Sequence, residues 1–77
     1  MITVKILIDS VEKVKELTSI LVREGIDGEI VEGVHIVDAK SIMGIFSLDL
    51  AKPVQLVIHS DDRAILEKLK KFLVEEP

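Results

Sequence analysis

The chain is 77 residues long, which is enough for a single domain over residues 1–77 and too short for a deep active-site cleft. It has no cysteine, so disulfide bonds and thiolate metal sites are excluded. The net charge is −4 and no basic stripe is interleaved with aromatic residues, which argues against nucleic-acid binding. No apolar run approaches the roughly 20 residues that cross a bilayer, so we expect a cytoplasmic protein without a membrane segment.

The chain begins with a pattern that predicts a strand followed by a long helix. Apolar residues occupy every second position of 2–8, which is typical of a strand with one buried face. Asp9 with Glu12 three positions later has the form of a capping box, so we expect Asp9 to cap a helix. Gly25 is suited to the left-handed conformation that ends a helix. The predicted apolar stripe of this helix is Val11, Val14, Leu17, Thr18, Leu21 and Val22.

The middle of the chain predicts a hairpin and a short helix. Residues 29–31 and 34–37 are β-prone runs, and Glu32-Gly33 between them is typical of a tight turn. Residues 42–46 are sufficient for only one or two helical turns, and Ser41 is well placed to cap them.

The last third predicts a strand and a final helix. Pro53 marks the start of a strand over 54–59, because proline cannot donate to a sheet ladder. Ser60-Asp61-Asp62 then opens a helix with a buried stripe of Ile65, Leu66, Leu69, Phe72 and Leu73. The complete order predicts a two-layer α+β domain with helices on one face of a sheet.

Residues 38–52 carry the most specific motif. Lys40-Ser41-Ile42-Met43-Gly44, with Ser47-Leu48 and Ala51-Lys52 after it, resembles the regulatory serine signature of the HPr family, the histidine-containing phosphocarriers of the sugar phosphotransferase system. The predicted order of elements is also the order in that family, so the resemblance covers nearly the whole chain. It implies an open-faced two-layer sandwich, in which a four-stranded antiparallel sheet of order 1-4-2-3 carries three helices on one face.

The chain departs from the family where HPr proteins carry phosphate. A Gly-Ile-His-Ala-Arg-Pro-like stretch before their first long helix supplies the accepting histidine, whereas residues 9–16 here contain no histidine, arginine or proline. An imidazole passes phosphate on because its P–N bond is labile, but a hydroxyl such as Ser10 would form a stable ester. Asp9 and Glu12 also bring negative charge to a helix end that would otherwise attract phosphate. We therefore predict no catalytic residue, no metal and no cofactor.

The two histidines of the chain, His35 and His59, lie outside this region. Each is out of phase with the core residues of its strand, so we expect both to point away from the helices. In the strand order of the family a third strand separates theirs, which places them about 10 Å apart laterally. We interpret them as surface residues that do not share a metal ion.

Two interpretations of Ser41 remain open. The hydroxyl can serve simply as a helix cap, or it can be a phosphorylation site. In Gram-positive HPr proteins a dedicated HPr kinase phosphorylates the serine of this motif, and the product binds partners such as a transcription regulator. The apolar residues that follow suit protein docking. The candidate partner-binding residues are Lys40, Ile42, Met43, Phe46, Ser47 and Leu48.

We therefore favour a non-catalytic, HPr-like regulatory or protein-binding module, with Ser41 as its candidate phosphorylation site. One alternative is a working phosphocarrier that uses an atypical residue. Another is a small-ligand regulatory domain of the ACT type, against which the serine motif argues. Leu7, Val31, Val37 and Val57 are expected on the open sheet face, so we expect a monomer or a weak homodimer.

Overall fold

The computed structural model describes residues 1–74 and has the predicted α+β architecture. Its strands form one antiparallel sheet in the order β1-β4-β2-β3, and its three helices leave the other sheet face open. The strand order and the number of helices confirm the prediction. The elements are β1 (Ile2–Ile6), α1 (Val11–Glu24), β2 (Gly28–Glu32), β3 (His35–Asp38), α2 (Ile42–Phe46), β4 (Val54–Ile58) and α3 (Ile65–Lys68), followed by a 3-10 turn at Lys70–Phe72.

The core lies between the helices and the sheet face that they cover. It is almost entirely aliphatic, with Phe72 as its aromatic member. Thr18 is the one buried polar side chain of residues 1–74, and its hydroxyl donates to the carbonyl of Ala39 at 3.3 Å. This bond ties α1 to the loop that leads into α2. The fully buried side chains include Ile6, Ile8, Val14, Leu17, Leu21, Ile30, Ile45, Leu56, Ile58 and Leu69.

The start of α1 differs in detail from the prediction. Ser10 is the N-cap, and its Oγ accepts a hydrogen bond from the backbone N–H of Lys13 at 3.2 Å. Asp9 instead binds the Lys13 ammonium at 3.0 Å. The assignment of the cap to Asp9 was therefore wrong, because Ser10 is the residue whose extended backbone places a side-chain oxygen over the third helical N–H. The predicted left-handed end at Gly25 is confirmed, with φ of 66°.

The hairpin between β2 and β3 turns at Gly33-Val34, one residue later than predicted. Ile30 lies opposite Val37. Since opposite residues of antiparallel strands share a face, Val37 packs against the core and His35 lies on the same side of β3. The expectation that Val37 and His35 face away from the helices was wrong, because a two-residue turn pairs even-numbered residues of one strand with odd-numbered residues of the next. Ile36 takes the place on the open face and is 67% exposed.

The end of the chain is not one continuous helix. α3 is followed by the 3-10 turn, and Leu73 forms a bridge with Ile6 at the edge of β1. The carbonyl of Phe72 accepts from the N–H of Leu7 at 2.9 Å. This pairing requires an extended backbone, so it ends the helix before the predicted stripe is complete. Ile65, Leu69 and Phe72 are buried as predicted, whereas Leu66 and Leu73 are half-buried.

Candidate functional site

Ser41 caps α2 and is exposed at the surface. Its backbone is extended, and its Oγ accepts a hydrogen bond from the N–H of Gly44 at 3.2 Å. The carbonyl of Ser41 accepts from the N–H of Ile45 at 2.9 Å. The hydroxyl is therefore held in one place by the first turn of the helix while remaining accessible to another protein, and the predicted capping role is confirmed.

Gly44 allows this turn to pack closely. A Cβ atom at Gly44 would stand 3.0 Å from Ser41 Oγ and 3.4 Å from Val37 Cβ. A side chain here would have to push the capping hydroxyl aside by a few tenths of an ångström. The glycine of the motif is thus part of the geometry that presents Ser41.

Lys40 precedes the cap, and both its backbone and its side chain are held by aspartates. Its backbone N–H donates to Asp38 Oδ1 at 2.8 Å, and its Nζ lies 2.5 Å from Asp27 Oδ1 in the loop between α1 and β2. The hydrogen bond from Lys40, with its charge, lowers the pKa of the Asp27 carboxyl. The same hydrogen bond raises the pKa of Lys40. Asp27 did not emerge from the sequence, because the two partners are 13 residues apart and share no local pattern.

The surface of α2 is apolar, and we call Ile42, Met43 and Phe46 the α2 patch. Met43 is 86% exposed and Phe46 is 43% exposed, while Ile42 is half-buried. Beneath the patch, Ile45 is fully buried and fixes the helix to the core. The patch is therefore an exposed apolar surface on a firmly packed support.

The two remaining predicted contact residues lie after the helix. Ser47 is exposed, and its hydroxyl donates to the carbonyl of Gly44 at 2.6 Å. Leu48 is only 9% exposed and belongs to the core. The expectation that Leu48 lies on a contact surface was wrong. Its apolar side chain packs into the core directly after α2.

The N-terminus of α1, where HPr proteins carry their histidine, has a different chemistry in this chain. Ser10 occupies the cap, and its Oγ is already bound to the N–H of Lys13. Asp9 lies immediately before it, and a hydrogen bond from Lys13 lowers the pKa of its carboxyl, so Asp9 is ionised at neutral pH. Glu12 adds a second carboxylate in the first turn. These groups make the helix end unfavourable for a phosphate.

The two histidines lie at opposite ends of the sheet. His59 follows β4, and its Nε2 is 2.8 Å from Glu29 Oε1 on the open face, which confirms its predicted orientation. His35 opens β3 opposite Glu32 and is level with Val54, so His59 lies about 16 Å further along the strand direction. No group of three or more His, Asp or Glu side chains in residues 1–74 could hold a metal ion. Within the same residues, no helix is both long enough and apolar enough to cross a membrane.

Comparison with known proteins agrees with this geometry. No family model and no curated protein matches the chain. Among solved structures, the chain is similar to the crystal structure of HPr-C-His from Thermoanaerobacter tengcongensis, with a TM-score of 0.70 and 25% sequence identity. The similarity covers 88% of this chain and 84% of that one. The chain has an HPr-like fold.

Proposed function

We propose that this protein is a non-catalytic, HPr-like module that binds a partner protein through the α2 patch, under the control of phosphorylation at Ser41. The observation that carries the proposal is a contrast between two helix caps. Ser10 stands at the start of α1, where a phosphocarrier needs an imidazole, while the exposed Ser41 caps α2 beside Met43. The chain keeps the regulatory region of the fold without the residue that relays phosphate.

The chemistry at α1 supports the first half of the proposal. A phosphoryl group on Ser10 would be a stable ester, so it could not be passed on as phosphohistidine is. Asp9 and Glu12 would also repel the incoming phosphate at a helix end that otherwise favours anions. Neither His35 nor His59 stands at a helix N-terminus. No observation favours phosphotransfer through an atypical residue.

The α2 patch supports the second half. Met43 and Phe46 expose apolar area that no other part of residues 1–74 covers. A methionine adapts its unbranched side chain to a partner surface, and an aromatic ring provides a large contact area. The partner we propose is a protein, such as a transcription regulator or the HPr kinase that would modify Ser41.

Phosphorylation would act directly on this surface. The Ser41 oxygen attacks the γ-phosphorus of ATP, a new O–P bond forms as the bond to ADP breaks, and the hydroxyl proton leaves to a base of the kinase. The product carries about −1.5 to −2 charges and three strong acceptor oxygens. It therefore adds a charged contact next to an apolar one, and a partner that offers both cations and an apolar pocket gains affinity.

Two measurements test the proposal separately. Incubation with HPr kinase and labelled ATP is expected to label the wild type and Ser47→Ala but not Ser41→Ala, since Ser47 is a matched exposed serine after the same helix. Failure to label Ser41 would remove the phosphorylation control. Binding of the phosphorylated protein to the regulator is expected to fall at least tenfold in Phe46→Ala, while Val22→Ala, an exposed residue of α1, leaves it unchanged. Equal binding by both variants would remove the α2 patch as the contact surface.

The ACT-like alternative is less well supported. The strand order β1-β4-β2-β3 and the similarity to a solved HPr structure both favour the HPr-like interpretation. The motif around Ser41, which resembles an HPr signature, also argues against an ACT-type domain.

A further inference from the structure

The residue before the proposed phosphorylation site is a lysine that already forms an ion pair. Lys40 is the only lysine or arginine between residues 24 and 51. Its ammonium group lies 2.5 Å from Asp27 Oδ1, although Asp27 is 13 residues away in the chain. The pair connects the loop before α2 to the loop before β2. A new charge at Ser41 can therefore alter an ion pair that involves a second loop.

We propose that phosphorylation of Ser41 moves the Lys40 ammonium from Asp27 to the new phosphate and thereby releases the Asp27 carboxylate. This ion-pair exchange rests on the proposed modification of Ser41. The exchange adds a second change at the surface. The Asp27 carboxylate, whose charge Lys40 balances in the unmodified protein, becomes an unpaired negative charge in the loop between α1 and β2.

The geometry allows the exchange. Lys40 and Ser41 are consecutive, so their Cα atoms are about 3.8 Å apart, and the lysine head group moves on a flexible four-carbon stem. Both partners of the existing pair reach solvent, with side-chain exposures of 30% for Lys40 and 74% for Asp27. The ammonium can therefore change partners without opening the core.

The charges favour the exchange. A phosphate carries about −1.5 to −2 charges against one on Asp27, and its bonds to an ammonium are charge-assisted. Asp38 increases the need for a cation, because its carboxylate is held close to Ser41 by the backbone N–H of Lys40. The phosphate and Asp38 would repel each other, and Lys40 is the neighbouring residue that can relieve the repulsion.

Release of the Asp27 carboxylate would also affect His59, at the end of β4. The carbonyl of Asp27 accepts a hydrogen bond from the N–H of His59 at 2.9 Å, and the Asp27 carboxylate is close enough to His59 for the two to interact electrostatically. His59 Nε2 already lies 2.8 Å from Glu29. Freeing Asp27 therefore changes the charge of the surface around Glu29 and His59.

The test uses the protein with phosphoserine incorporated directly at position 41, so it does not depend on any kinase. The carbon-13 shift of the Asp27 carboxyl is compared by NMR at about pH 7.5 in the modified and unmodified proteins, because the phosphate carries its second negative charge only above about pH 6. We expect the Asp27 signal to move on modification toward its position in unmodified Lys40→Met, in which the ion pair is absent. Asp61, which pairs with the N-terminal amine, is the internal reference and keeps its shift. An unchanged Asp27 shift would overturn the exchange.

The variant Lys40→Met separates the exchange from simple repulsion by the phosphate. In this variant the Asp27 carboxyl has no ammonium to lose, so phosphoserine should change its carbon-13 shift little. A phosphate-induced change as large in Lys40→Met as in the wild type would also overturn the exchange, since it would need no lysine. Failure of the kinase to label Ser41 would count against the proposed function alone, because the ion-pair exchange is measured on directly modified protein.

Discussion

Ser41 Oγ accepts the Gly44 N–H at 3.2 Å, and a Cβ on Gly44 would stand only 3.0 Å from the same oxygen. The two residues form the tight first turn of α2, which exposes a hydroxyl next to Met43. The arrangement explains why the serine and the glycine of the motif belong together. One provides the cap and the other provides the space for it.

The cap makes a measurable contribution to stability. Ser41→Ala should lower the free energy of unfolding by about 1 kcal/mol, because the Gly44 N–H loses its partner. Ser41→Asp should retain most of that energy, since aspartate caps helices as well as serine does. Urea unfolding of the three proteins measures the difference. If Ser41→Asp is as unstable as Ser41→Ala, the hydroxyl does not act as a cap.

Neighbouring residues of α2 should separate stability from binding. Ile45 is fully buried, so Ile45→Ala should lower the free energy of unfolding by about 2–5 kcal/mol. Met43 is 86% exposed, so Met43→Ala should change it by no more than about 0.5 kcal/mol while weakening partner binding. Urea unfolding and a binding titration on the same samples test both statements. A large loss of stability in Met43→Ala would place that side chain in the core.

The Asp9–Lys13 pair predicts a pH dependence with a defined sign. Lys13 lowers the pKa of Asp9 in the folded protein, so the pair stabilises the fold above the ordinary aspartate pKa of about 3.9. This stabilisation is lost as the pH falls through the lowered value. The difference in urea midpoint between the wild type and Lys13→Met should therefore be largest near neutral pH and shrink below about pH 4. A difference in urea midpoint that grows on acidification would show that the ionised Asp9–Lys13 pair does not stabilise the fold.

The open sheet face predicts a monomer at micromolar concentration. Its positions form two rows across the strands, Lys5-Gln55-Val31-Ile36 and Thr3-Val57-Glu29-Asp38. A two-fold axis through the centre of this face and along the strands would place Val57 against Glu29 of a second copy. An axis across the strands would place Val57 against Gln55 of that copy. Since apolar side chains would meet polar ones in both arrangements, the face is a poor dimer interface. Sedimentation equilibrium measures the mass, and a dimer at micromolar concentration would contradict the prediction.

The sequence was sufficient for the architecture because the apolar patterns are strong and the caps are local. Alternation over residues 2–8, the 3.6-residue stripe of α1 and the serine motif led to the correct order of elements, and the resemblance to HPr proteins implied the correct strand order. Ser41 was also identified correctly as a cap, because a cap depends on residues within one helical turn.

The choice of Asp9 over its neighbour Ser10 as the cap of α1 was a local error. Most of the other errors arose where the structure depends on distant parts of the chain. The side of β3 that holds Val37 is set by the pairing across the hairpin, and the break after α3 is set by the pairing of Phe72 with Leu7 at the edge of β1. Asp27 was missed as the partner of Lys40 because only the folded chain brings the two loops together. Leu48 was placed on the surface because a local apolar run does not show which of its members point inward.

The proposed function predicts that this protein does not relay phosphate and acts instead through contact with another protein. Incubation with Enzyme I and labelled phosphoenolpyruvate, beside an authentic HPr as the positive reference, tests this prediction. We predict no acid-labile label on this protein, because Ser10 stands where an imidazole is required and Asp9 with Glu12 repels the phosphate. Rapid formation of phosphohistidine at His35 or His59, at a rate comparable to that of the reference, would show that the protein does relay phosphate.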